Sequence, residues 1–213
     1  MYEPPLHREH DLTKQHALIR ARPLGLLISH GPQGLTANAV PFLLAAAASR
    51  LGTLRAHVAR ANPQWRDLCV SPEALVVFRG PDHYISPSWY ATKRETGRVV
   101  PTWNYTMVQA RGLAAVHEED GWLAGQIDEL TRTHEAASKA PWAVSDAPPE
   151  FVAGQRRAIV GIEIEIVDIR GKWKTSQNRS LADRAGVISG LEALRDEEAL
   201  AMAALVGESA APD

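Results

Sequence analysis

Apolar and polar side chains alternate most regularly along "AIVGIEIEIVDIRG", where Val160, Ile162, Ile164 and Ile166 fall on one side and Glu163 and Glu165 on the other. A period of two marks a strand with one buried face. The same period runs through "GTLRAHVAR", with Leu54, Ala56 and Val58 set against Arg55, His57 and Ala59. "LGLLISH" and "GLTANAVPFLLA" read as two strands joined by "GPQG", a composition suited to a hairpin turn. "EALVVF" is a further strand, and "RVVPTWNYTMVQARGLAAVH" is one long strand or two with a break. Helical spacing is confined to fewer places. Leu12, His16 and Ile19 share a face in a segment that Asp11 caps and Pro23 ends. Leu123, Ile127, Leu130 and His134 recur at helical spacing over 122–139. Ser180 with Asp183 makes a capping box for a C-terminal helical segment, which "LEALRDEEALAMAALV" continues as an amphipathic helix before a frayed "GESAAPD". "APWAVSDAPPEF" reads as a proline-rich connector, and "KWKTSQNR" as a polar loop.

Six or so strands, with most helices late in the chain, predict a mainly β fold: an antiparallel barrel or sandwich with peripheral helices, not a doubly wound sheet. No G-x-G-x-x-G or Walker-type loop supports a nucleotide-binding α/β domain. At 213 residues, with 45% hydrophobic and 23% charged positions, the chain suits one soluble domain that needs no staples.

Composition narrows the partners. The single cysteine, Cys69, excludes an internal disulfide and any multi-cysteine metal site, and fits a reducing cytoplasm. No apolar run reaches membrane-spanning length, and "MYEPPLHREHD" lacks the apolar core of an export signal. A net charge of −2 argues against a dedicated DNA-binding domain, whose affinity rests on neutralising phosphates. The eight histidines form no H-x-x-x-H pair, and no serine–histidine–acid spacing suggests a hydrolase, so neither a metal site nor a catalytic residue is assigned.

Four segments carry side chains poorly matched to folding alone: "HVARANPQW", "YISPSWY", "VPTWNY" and "KWKTSQNR". Each lies at or just past the end of a predicted strand, where a barrel gathers its rim. An Arg, an amide and backbone N–H groups around Asn62-Pro63 suit a phosphate, but equally a turn whose Arg60 pairs with a carboxylate. His57 alone is better read as a hydrogen-bonded structural histidine. Lys172, Lys174, Thr175, Ser176, Gln177, Asn178 and Arg179 suit an oxyanion or a nucleic-acid backbone, against a solvated loop. Together, cations, amides and flat aromatics meet the needs of a planar phosphorylated cofactor such as flavin mononucleotide (FMN). In "YISPSWY", Ser86 or Ser88 would meet a phosphate or ring edge, and Trp89 and Tyr90 would wall a flavin or a partner subunit.

The segments "MYEPPLH", "HVARANPQW", "VVFRGPDHYISPSWY", "GRVVPTWNY" and "GKWKTSQNRSLADRAGVISGL" resemble, in order and spacing, the PaiB family of FMN-binding negative transcriptional regulators. The resemblance covers essentially the whole chain. It implies a pyridoxamine-phosphate-oxidase-like FMN-binding split β-barrel (antiparallel and Greek-key-like, with a C-terminal helical segment), usually a homodimer with flavin near the interface. It also implies a single domain over 1–213, with the barrel core about 22–170 and the C-terminal loop and helices about 171–207. The positions matching the family's cofactor site are His57, Arg60, Asn62, Ser86 and Lys93, then Lys174, Gln177 and Arg179. His7 stands where relatives are expected to carry an aromatic, a departure that touches the N-terminal packing rather than the cofactor site.

Three functions follow as expectations. The first is a flavin-binding regulator that lowers expression of target genes. Direct DNA contact would fall to Lys172, Lys174, Arg179 and Arg184, although no helix-turn-helix is evident. The second is a flavin-dependent oxidoreductase acting on a small-molecule ligand, with His57, Tyr90 or Tyr105 as proton donor. The third is a barrel that binds another ligand, such as haem.

Overall fold

A computed structural model of the chain describes residues 1–32 and 34–209. Its strands are β1 (Arg8–Glu9), β2 (Leu24–Gly31), β3 (Gly34–Pro41), β4 (Leu43–Ala45), β5 (Thr53–Ala59), β6 (Glu73–Ile85), β7 (Thr102–His117) and β8 (Ile159–Lys174). Its helices are α1 (Leu12–Ala21), α2 (Gln64–Val70), α3 (Thr92–Thr96), α4 (Asp120–Glu135), α5 (Pro149–Arg157), α6 (Leu181–Glu192) and α7 (Glu197–Glu208). The sheet order is β3-β2-β6-β7-β8-β5-β4, with β1 pairing on β8. β2 pairs antiparallel with β3 and β6, and β5 with β4 and β8. The expected antiparallel, sheet-rich architecture with peripheral helices is therefore the one observed.

Five local readings change. β6 does not stop at Phe78 but runs through "RGPDHYI" to Ile85. Pro81 is tolerated there because β2 pairs with β6 only over Ala74–Val77, so its missing N–H interrupts no bond of that ladder. β8 runs past "IRG" to Lys174, so "KWK" is strand and only the residues after it are loop. The connector before β8 contains α5, where Pro149 takes the first helical position, a place that needs no N–H. The C-terminal helical run breaks in two at Arg195, whose φ of 59° is left-handed, and Asp196 caps α7 by accepting from Ala199 N at 3.1 Å. Gly207 and Glu208, expected to fray, belong to α7, while residues 210–213 lie outside the described residues.

The chain divides into two compact units. One comprises Ile19–Phe78 and Gln109–Ile169. Its strands alternate as the sequence predicts: Leu54, Ala56, Val160, Ile162 and Ile164 are fully buried, and Phe42 meets Phe78 edge-on at 5.8 Å. α4 lies on the opposite face of the same strands, where His57 meets Gln126 and Arg55 meets Glu129. The other unit comprises Met1–Leu18, Arg79–Val108 and the chain from Arg170 onward. Its core joins Ile85 and Tyr90 to Val187 and Leu191 of α6 and to Met202 and Val206 of α7. Gly186 and Gly190 let α6 approach Trp89 closely. A Cβ at Gly186 would stand 1.9 Å from the Trp89 carbonyl oxygen, and one at Gly190 2.3 Å from the indole ring.

Candidate functional site

The nine expected site residues fall into two groups. His57, Arg60 and Asn62 belong to the unit built on Ile19–Phe78, and each has protein partners. His57 Nδ1 lies 2.7 Å from Gln126 Oε1, an acceptor, so Nδ1 carries the hydrogen. The Arg60 guanidinium donates to Glu118 and to the carbonyls of Arg157 (2.9 Å) and Ile159 (3.2 Å). Asn62 Oδ1 accepts from Gln64 N at 3.0 Å, an Asx turn that starts α2.

Ser86, Trp89, Lys93, Lys174, Gln177 and Arg179 belong to the other unit. Ser86 caps the short 3-10 turn Pro87–Trp89 by accepting from Ser88 N at 3.1 Å. Lys93 is exposed and donates to Ser88 Oγ at 3.4 Å. Trp89 is half-buried against Gly190.

The last three converge with Lys172 and with the N-terminal segment. Because β8 continues through "KWK", Lys172 and Lys174 share one side of the strand and Trp173 takes the other. Lys172 is only 7% exposed. Its Nζ donates to the Tyr2 carbonyl at 3.0 Å and sits 5.4 Å and 5.1 Å from the Tyr2 and Tyr105 ring centroids. Lys174 Nζ donates to Thr102 Oγ1 at 2.5 Å, and Arg179 stacks over the Tyr90 ring at 4.5 Å. Among the described residues, no carboxylate forms an ion pair with Lys172, Lys174 or Arg179. Burial, reinforced by Lys172 and Arg179, lowers the pKa of Lys174 against a smaller opposing effect of Tyr105.

A strained turn follows the two lysines. Ser176 adopts φ 64°, unusual for a residue with a Cβ, and its hydroxyl accepts from Asn104 Nδ2 at 2.9 Å. Gln177 folds back over that turn: its Oε1 accepts from Thr175 N at 2.8 Å and its Nε2 donates to the Trp173 carbonyl at 2.6 Å. Asn104 Oδ1 and Tyr90 OH are buried without a protein partner. A groove of about 330 Å³ in the same unit is lined by Arg79, Asp82, Trp103, Tyr105, Thr106 and Met107. Asp82 holds Trp103 by accepting from its indole N–H at 2.7 Å.

His7 lies against the same loop. Its Nδ1 lies 3.1 Å from Gln177 Oε1. Of the four residues expected to contact DNA, Lys172 and Arg184 are buried, Arg184 donating to the Val206 and Ser209 carbonyls, while Lys174 and Arg179 are partly exposed. Continued strand alternation through "RGKWK" was the available signal for Lys172. Nothing local in the sequence marks Tyr2 or His7 as its neighbours.

Residues 1–168 match the family described as "Putative FMN-binding domain". The chain belongs to that FMN-binding family. It is 35% identical to the protease synthase and sporulation protein PAI 2 of Bacillus subtilis over 70% of each chain, so the PaiB resemblance holds. It is 36% identical to an uncharacterised protein of Emericella nidulans over 98% of this chain and 97% of that one. Among solved structures, the flavocytochrome Anf3 of Azotobacter vinelandii has a similar fold, with a TM-score of 0.59 and 13% identity over 78% of this chain and 68% of that one. The fold is the split barrel of FMN-binding proteins, and FMN is the cofactor that the family assigns to this member. The donor set of the cluster formed by Lys172, Lys174 and Arg179 fits that group. Three cations with no carboxylate partner among the described residues suit a phosphate, and Tyr105 offers a flat face beside Lys172. Lys172, Lys174 and Arg179 lie beyond the stretch that matches the family, so their assignment rests on this geometry alone.

Proposed function

We propose that this family member is a PaiB-type flavin-binding regulator whose FMN phosphate is held by Lys172, Lys174 and Arg179, with Gln177 shaping the loop between them. The observation that carries this reading is that, among the described residues, no carboxylate pairs with three converging cations, one of them buried. Such an arrangement costs free energy unless an anion completes it. Ser86, Trp89 and Lys93 belong to the same unit and frame the approach, while His57, Arg60 and Asn62 hold the fold of the other unit. Bound FMN would supply a redox-active ring, and Trp103 and Tyr105 would cover it.

With Lys172 and Arg184 buried, control of expression is assigned to an indirect, flavin-dependent route in the cytoplasm rather than to operator contact. The partner proposed is a second copy of this chain. Leu24, Leu26 and Ile28 of β2 face Pro41, Ala39 and Ala37 of β3, and Leu35 beside them is 78% exposed. An uncharged apolar sheet face of this kind complements its own copy across a twofold axis. Sedimentation should give a dimer that Leu26→Glu dissociates.

FMN titration followed by fluorescence quenching tests the flavin reading. Saturable uptake supports it, and protein that remains colourless with no quenching refutes it. The groove beside Trp103 and Met107 favours a second reading, a flavin-dependent oxidoreductase acting on a small molecule. Bleaching of bound flavin by reduced nicotinamide, followed by reoxidation with substrate, would establish that activity.

A further inference from the structure

We propose that His7 is a fourth cation of the anion site, one that becomes charged when the anion arrives, so that ligand binding takes up a proton. The inference rests on the phosphate placement proposed above and adds to it a residue and a proton linkage.

The N-terminal segment is fastened to the end of β8 that carries the two lysines. Arg8 and Glu9 pair with Lys172 and Gly171, Lys172 holds the Tyr2 carbonyl, and His7 lies on Gln177. The tautomer of His7 follows from its partner. Gln177 Nε2 donates to Trp173 O and its Oε1 already accepts from Thr175 N, so Oε1 can only accept from His7. Nδ1 therefore carries the hydrogen, and Nε2 is the nitrogen left to take a proton.

The charges around this ring oppose that proton while the site lacks an anion. Lys172 and Lys174 face it from β8, and among the described residues no carboxylate forms an ion pair with either lysine. Glu3 lies 3.9 Å from Arg8 and 4.0 Å from Arg170, and Glu9 lies 3.3 Å from Lys14. Gln177 also lines a groove with Arg8, Lys14, Glu9 and, from α7, Glu208. Burial, then Lys174 and Lys172, hold the His7 pKa below its ordinary value, against the Gln177 hydrogen bond, which raises it. A phosphate placed on the lysines cancels their repulsion and adds attraction, which reverses the electrostatic balance at Nε2.

Calorimetry of FMN binding at about pH 6.5 in two buffers of different ionisation heat, on wild type and on H7Q and H7N, tests this. Protons taken up by the FMN phosphate itself are common to all three proteins, so the difference isolates His7. Wild type should take up more protons than either variant. Its FMN affinity relative to theirs should rise by up to about tenfold for each pH unit that separates the free and bound His7 pKa values. Riboflavin, which lacks the phosphate, should show no such difference. Equal proton uptake by wild type and both variants, with FMN still bound more tightly than riboflavin, overturns the role of His7 alone. FMN and riboflavin bound equally well overturns the phosphate placement and this inference with it.

Discussion

"HVARANPQW" and "KWKTSQNR" look alike on paper, since each follows a strand-like run and combines cations with amides. In the folded chain they differ in one respect, the company their cations keep. Arg60 is claimed by Glu118 and two main-chain carbonyls, a pattern that ties β5 and β8 together without help from a ligand. Lys172, Lys174 and Arg179 have ring faces, a hydroxyl and a carbonyl as neighbours, none of which carries a countercharge. A cation with a carboxylate serves the fold, while cations gathered without one leave a charge for something else to neutralise. Spacing along the chain cannot separate the two cases, because Glu118 lies 58 positions from Arg60.

The sharpest way to break this contrast is K174Q combined with R179Q. Charge-assisted hydrogen bonds to phosphate contribute about 1.5–3 kcal/mol each, so the double variant should lose FMN affinity by on the order of hundredfold or more. Its ligand-free melting temperature should hold or rise, because a repulsive cluster has been relieved. A clear fall in melting temperature with FMN affinity intact would place these residues with Arg60. Sulfate offers a smaller, ligand-independent version of the same test. It should stabilise the wild type by about 1–3 kcal/mol at concentrations well above its Kd and leave the double variant nearly unchanged.

R60Q should behave in the opposite sense, with a loss of about 0.5–1 kcal/mol in urea unfolding and less than about a twofold change in FMN affinity. The pH response of the ligand-free protein completes the series. The lowered pKa of His7 means that the unfolded chain binds its proton more readily than the folded one. This contribution is therefore absent above the ordinary value of 6.5, and stability falls as the pH drops through it. H7Q should flatten that fall in a melting-temperature profile, and an unchanged profile would contradict the assignment.

The sheet was readable because β5 and β8 alternate without interruption, so that Leu54, Ala56, Ile162 and Ile164 reveal one buried face. The helix break at Arg195 was less so, because a left-handed residue in a strongly helical stretch carries no compositional mark, although Asp196 is a good cap in hindsight. "RGPDH" holds the proline and glycine that usually end strands. Only the short pairing of β2 with β6 explains why this strand continues. The aromatics of "YISPSWY" divide between roles that the sequence could not apportion. Trp89 fills the space left by Gly190, and Tyr90 is buried beneath Arg179. The candidate site was half legible. Lys174, Gln177 and Arg179 stood out by composition, but Tyr2 and His7 enter through pairing of β1 with β8 across more than 160 residues, which no local pattern records.

The central claim, that an uncompensated cation cluster holds the flavin phosphate, is tested most directly by a cycle in which the ligand phosphate and the protein cations are removed in turn. FMN and riboflavin affinities are measured on wild type and on the K174Q/R179Q variant. The wild type should prefer FMN over riboflavin by on the order of hundredfold, and that preference should nearly vanish in the variant while riboflavin affinity stays the same. An FMN preference that survives intact without these two cations would show that the phosphate lies elsewhere.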